Sequence, residues 1–96
     1  LGDGNQIFAL SYIGTDVKIG NNCIINSGAI VSHFSVLGDH CHIAPGGILG
    51  GSVQIGECSL IGMGSTIYYG LRVGNRVTVI NSTAVLKNIP DDQIVR

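Results

Sequence analysis

The sequence predicts an all-β fold: a single-stranded parallel β-helix of about five 18-residue coils, three hexapeptides to each coil. Two regularities carry this reading. Counting in sixes from Leu1, the first position is Leu1, Ile7, Ile13, Ile19, Ile25, Val31, Leu37, Ile43, Leu49, Ile55, Ile61, Ile67, Val73, Val79 and Val85, aliphatic without exception. Every third hexapeptide also opens with an aliphatic residue, a glycine and Asp, Asn or Glu, as in Leu1-Gly2-Asp3, Ile19-Gly20-Asn21, Leu37-Gly38-Asp39, Ile55-Gly56-Glu57 and Val73-Gly74-Asn75. A period of six inside a period of eighteen describes three short strands per coil, each followed by a turn.

The first position of each hexapeptide is expected to point inward. So is the fifth, which is mostly small or β-branched: Ser11, Val17, Cys23, Ala29, Ser35, Cys41, Gly47, Val53, Ser59, Ser65, Val77 and Thr83, with Asn5, Leu71 and Ile89 as exceptions. Two inward positions in six are too few for the apolar stripe of an amphipathic helix. Ile, Val and Thr interrupted by Gly favour short strands and turns. At about 4.8 Å between neighbouring strands, five coils stack to a prism about 24 Å tall. The helix is expected over residues 1–90, followed by a tail over 91–96, because Pro90, Asp91 and Asp92 are poor strand residues that would close the open edge.

Composition excludes several classes of partner. Charged residues make up 11% of the chain and five Lys and Arg nearly balance six Asp and Glu, so no basic footprint for nucleic acid exists. The longest apolar run, Ile7-Phe8-Ala9-Leu10, is far short of a membrane helix, so no membrane partner is expected. Three cysteines in no CxxC pair indicate neither a disulfide framework nor a zinc ribbon, which suits the cytoplasm. Cys23 and Cys41 are one coil apart and are expected to form a buried thiol pair.

The repeat resembles that of the hexapeptide-repeat acyltransferases over nearly the whole chain. That resemblance implies a left-handed β-helix assembled as a homotrimer. A narrower likeness runs through Ile24-Ile25-Asn26, His33, Leu37-Gly38-Asp39, His42-Ile43-Ala44-Pro45-Gly46 and Val53-Gln54-Ile55-Gly56. These residues are similar to the branch of sialic acid O-acetyltransferases and bacterial amino-sugar N-acetyltransferases. The likeness implies transfer from acetyl-CoA to an amine or hydroxyl of a sugar or nucleotide-linked sugar, with His33 as catalytic base and His42 against the cofactor. It further implies that Gly51 and Met63 lie along the pantetheine. Phe34 stands where that branch usually has an acidic residue. The branch usually has a nucleotide-binding domain before the helix, so the chain is expected to be a fragment of a longer protein.

The histidines fit this chemistry unequally. His33 occupies a third position, an outward corner equivalent to Thr15, Gly51 and Tyr69. Histidine can take a proton from an attacking amine or hydroxyl near neutral pH. The resulting oxyanion needs fixed donors, and backbone N–H groups around Gly46-Gly47 or Gly50-Gly51 are expected to supply them, because glycine lets a ligand approach the main chain. The expected cofactor-binding set is therefore His42, Gly46, Gly47, Gly51 and Met63. His42 occupies a sixth position, nine residues from His33 and on a different face, so a shared site would need His33 of one subunit and His42 of its neighbour. His40, at a tolerant corner, reads as a solvated side chain. No metal is expected, since a zinc site like that of the γ-class carbonic anhydrases spreads its histidines over more coils than His33, His40 and His42 span. The rival reading is a non-catalytic trimerising scaffold, in which Phe34 marks a lost catalytic pairing.

Overall fold

The computed structural model describes residues 1–96, with fifteen two-residue strands and no helix. Each strand joins the sixth position of one hexapeptide, facing out, to the first position of the next, facing in. Strands one coil apart pair in parallel, which yields three faces. The first is built from β1 (Gln6–Ile7), β4 (Ile24–Ile25), β7 (His42–Ile43), β10 (Leu60–Ile61), β13 (Thr78–Val79) and β15 (Ile94–Val95). The second holds β2 (Tyr12–Ile13), β5 (Ile30–Val31), β8 (Ile48–Leu49), β11 (Thr66–Ile67) and β14 (Ala84–Val85). The third holds β3 (Lys18–Ile19), β6 (Val36–Leu37), β9 (Gln54–Ile55) and β12 (Arg72–Val73). Partners in the first four coils are eighteen residues apart, as in Ile25↔Ile43 and Val31↔Leu49.

The corners obey a rule that residue identity does not advertise. Every fourth position from Gly4 to Ser82 has φ between +50° and +77°. Only five of these residues are glycine; the rest include Leu10, Asn22, Phe34, His40 and Arg76. The left-handed backbone turns the amide along the solenoid axis. From Asn22 to Ser82, and again at Asp92, it donates to the third-position carbonyl of the coil before, as in Asn22 N to Asp3 O at 2.8 Å and Ser52 N to His33 O at 2.8 Å. At the corner between the third and first faces a second ladder runs beside it. Asn21 Oδ1 accepts from Asp3 N, Asp39 Oδ1 from Asn21 N, Asn75 Oδ1 from Glu57 N and Asp91 Oδ1 from Asn75 N, all at 2.7–2.9 Å.

First-position side chains from Ile19 to Val85 stack down the axis as the core. Fifth-position residues fill the corners and satisfy carbonyls that turn inward. Cys23 Sγ donates to Gly38 O at 3.1 Å, Cys41 Sγ to Gly56 O at 3.0 Å, and Ser59 Oγ to Gly74 O at 2.9 Å: one bond made by three residues in successive coils. Asn5 belongs to the same column and reaches Gly20 O at 2.9 Å. Cys23 and Cys41 are both buried and free, as expected of a thiol pair.

The expected tail is instead part of the solenoid. Ile89 bridges Val73 and Ile94 pairs with Thr78, each sixteen residues apart, whereas Val85 still pairs with Ile67 at eighteen. Two residues have been lost at the corner between Val85 and Ile89. This puts Ile89, read from the sequence as a fifth-position exception, into a first position, buried in the core. The strand Ile94–Val95 follows, so Pro90 and the two Asp do not end the ladder. Pro90 now takes a second position, where Gly56 N and Gly74 N donate to the coil above. Its missing N–H therefore falls on the open edge.

Leu10 is 92% exposed and held at φ 62°. A bulky side chain there gains no burial and bears backbone strain, so Leu10→Asn is expected to stabilise the fold by about 1 kcal/mol, read from thermal or denaturant melts. Burial pushes the Cys41 thiol from its usual 9.0 up to about 12. The folded chain keeps the proton that the unfolded chain releases, so this contribution is whole below pH 9.0 and is lost as pH rises towards 12. Cys41→Ser preserves the bond to Gly56 O, as Ser59 shows one coil on, and is expected to flatten that alkaline loss of stability.

Candidate functional site

His33 sits at the corner between the second and third faces. Its carbonyl is held by Ser52 N, while its imidazole and its own N–H carry no hydrogen bond. The ring lies over Gly51 of the next coil: a Cβ on that glycine would stand 3.0 Å from His33 Cε1 and 3.1 Å from Nε2. The same Cβ would stand 3.3 Å from Tyr69 Cδ2, one coil further on. Phe34 meets the imidazole edge to face, with centroids 5.4 Å apart and planes at 88°, and Tyr69 faces it at 6.3 Å and 44°. His33, Phe34 and Tyr69 are all exposed. The imidazole is thus walled by aromatic rings and open to solvent.

Gly51 departs from its column in two ways. It is the one third-position residue with positive φ, at +112°, a conformation that favours glycine. It is also buried, whereas His33 and Tyr69 are exposed; its N–H, like those of Thr15, His33 and Tyr69 in the same column, donates to no group of the chain. The other expected oxyanion donors are committed: Gly46 N to Ser27 O, Gly47 N to Ala44 O and Gly50 N to Ile67 O. Of the four glycines only Gly51 offers a free backbone donor, and it lies beside the histidine.

His42 points outward from β7 on the first face. Asn26 Oδ1 accepts from Ser27 N at 2.8 Å, which orients the amide so that Nδ2 is the group 3.2 Å from His42 Nε2. Nε2 therefore accepts, and Nδ1 carries the proton and is the donor His42 can offer. Gly46 and Gly47 follow at the corner between the first and second faces, and Met63 lies at the same corner one coil on, half exposed. Gly47 is interior, where a Cβ would press on Ile43 Cγ2 at 2.9 Å, so its role is packing.

The chain gathers His42, Gly46 and Met63 into one region but keeps His33 and Gly51 apart from it. In a three-sided prism, the corner between the second and third faces lies across from the first face. His40 occupies the remaining corner at φ 59°, a demanding backbone position and not a tolerant one. One chain therefore does not converge its three histidines.

The Asn26 partner of His42 lay within reach of sequence reasoning, since the two are sixteen residues apart, two short of a full coil. The positive φ of Gly51 was not, because no other third-position residue adopts it.

Comparison with known proteins agrees with this architecture. The family model for the bacterial transferase hexapeptide (six repeats) matches residues 1–33. A bifunctional GlmU protein of Francisella tularensis is 36% identical over 95 residues, 99% of this chain and 18% of its own length. An acyl-carrier-protein-dependent UDP-N-acetylglucosamine O-acyltransferase of Burkholderia orbicola is 30% identical over 90 residues, 94% of this chain and 28% of its own length. Among solved structures, the acetyltransferase domain of PglB from Neisseria gonorrhoeae superposes with a TM-score of 0.97 at 31% identity, covering 98% of this chain and 46% of that one. PerB from Caulobacter crescentus, in complex with CoA and GDP-perosamine, superposes with a TM-score of 0.83 at 28% identity, covering 95% and 50%. The chain thus spans under a third of these curated relatives and about half of the solved chains.

Proposed function

Taking as premise that the chain belongs with the bacterial transferase hexapeptide repeats, we propose that it forms the core of an acetyl-CoA-dependent acetyltransferase whose acceptor is an amine or hydroxyl of a nucleotide-linked sugar. The observation that carries this reading is the pairing of an open imidazole, His33, with an uncommitted buried N–H at Gly51. Relatives solved with acetyl coenzyme A, or with CoA and GDP-perosamine, support the choice of donor and acceptor.

His33 takes the proton from the acceptor amine or hydroxyl as that atom attacks the thioester carbonyl carbon. A C–N or C–O bond forms and the carbonyl oxygen becomes an oxyanion, to which Gly51 N–H donates. Removing one such donor elsewhere costs roughly a hundredfold to a thousandfold in kcat. Collapse breaks the C–S bond, and the CoA sulfur leaves with the proton returned by the imidazolium. His42 Nδ1–H holds the cofactor along the first face, with Met63 and the Gly46 corner beside it.

Because His33 and the first face lie across the prism from each other, the working site combines two copies, and the assembly is a homotrimer. The outward residues of the second face, Tyr12, Ile30, Ile48, Thr66 and Ala84, carry no charge. Those of the third face include Lys18 and Arg72. The uncharged second face, which ends at the His33 corner, is the surface a neighbouring copy covers. Three free thiols, two of them buried, suit a cytoplasmic protein.

Calorimetric titration of acetyl-CoA is expected to give micromolar binding, weakened at least about tenfold by His42→Ala. His33→Ala is expected to retain that binding while losing roughly a hundredfold to ten-thousandfold in transfer rate to amino-sugar acceptors. A folded protein that binds no acetyl-CoA would overturn the proposal in favour of a scaffold.

A further inference from the structure

We propose that Phe34 and Tyr69 are positioning residues for His33, an aromatic clamp that holds the imidazole plane in place of a hydrogen-bonding side chain. The inference rests on the assignment of His33 as base and adds what orients it. Histidines that act as bases or ligands are usually oriented by a hydrogen bond to the second ring nitrogen. His42 has such a partner in Asn26. His33 instead has two rings and a vacant Cβ site.

Two features converge on this ring. Phe34 shares the left-handed backbone that the stack imposes on every fourth position, so its φ of 59° alone assigns it no role. It is 55% exposed, and what its ring does contact is the imidazole: its one aromatic partner is His33, met edge to face. Tyr69, from two coils on, reaches the same place because Gly51 between them has no side chain: its absent Cβ would touch both His33 Nε2 and Tyr69 Cδ2. Contacts of this kind are enough to favour one rotamer of an exposed ring several-fold.

The clamp also differs chemically from a carboxylate partner. Aromatic walls restrict the ring without placing a negative charge beside it, whereas a carboxylate would favour the imidazolium. Orientation and charge can therefore be separated at Phe34, by a substitution that removes the ring and one that supplies a charge.

The test uses the assembled protein with isotope-labelled histidine. Phe34→Leu, Tyr69→Leu and Phe34→Glu are compared with the parent by measuring the His33 Hα–Hβ three-bond couplings, which report its rotamer population, by following its ring protons through a pH titration and, in parallel, by acetyl-transfer kinetics. Both Leu variants are expected to move the His33 couplings to rotamer-averaged values while leaving those of His40 and His42 unchanged. They should lower kcat about tenfold to a hundredfold, with KM for acetyl-CoA unchanged. Phe34→Glu is expected to move the His33 titration midpoint to higher pH. Phe34→Asn, better suited to the left-handed backbone, should raise the melting temperature yet still average the His33 couplings, a combination that a purely structural role does not produce. His33 couplings unaltered in both Leu variants would overturn the clamp, even if transfer activity is confirmed. If the protein transfers no acetyl group, the couplings still decide the clamp, and the role of His33 as base fails separately.

Discussion

The amide of each fourth-position residue, turned along the solenoid axis by a positive φ, is the interaction on which the rest depends. It binds the third-position carbonyl of the coil before and so stacks coil on coil at every corner. Parallel strands two residues long have too few hydrogen bonds to define a sheet by themselves. With the corners tied, equivalent positions form columns, and the side chains of a column meet at strand spacing. The interior column of Asn5, Cys23, Cys41 and Ser59 and the exterior column of His33, Gly51 and Tyr69 are products of the same constraint. One makes a core satisfied in its polar groups; the other makes the candidate site.

Much of this was legible in the sequence, because inward positions tolerate few side chains. The unbroken aliphatic first position and the small fifth position announce a three-sided coil, and the eighteen-residue spacing of the Gly-Asp and Gly-Asn triplets gives its circumference. The corner rule was hidden. The fourth position holds Leu10, Phe34, His40, Cys58 and Arg76 as well as glycine, so backbone geometry there is imposed by the stack and not by residue preference. The two-residue contraction before Ile89 was hidden for a related reason. Counting in sixes passes over it and lands on Asp91, whereas burial selects Ile89 and then Val95 as the inward residues.

The same physics explains which parts of the site could be read. Membership of a column follows from arithmetic, so the alignment of His33 with Gly51 and Tyr69 was available from the sequence. What the members do to one another depends on φ and on hydrogen-bond accounting. Gly50, in a second position, has its amide bound to Ile67 as its column requires, whereas Gly51 takes a φ of +112° that no other third-position residue shares. A solenoid whose interior is filled by its own side chains also leaves its functional groups on the outside. It offers corners and faces, and His33 at one corner stands across from His42 on the opposite face.

Under the proposed function, such a body would complete a reaction centre by placing a corner of one copy against a face of another. Reassembling His33→Ala chains with His42→Ala chains, and measuring transfer at acetyl-CoA concentrations below those that saturate the His42→Ala protein, tests this directly. Each variant spoils a different half, so mixed oligomers are expected to contain some intact sites and to exceed the activity of either variant alone. Mixed oligomers no more active than the two variants would contradict a site shared between subunits.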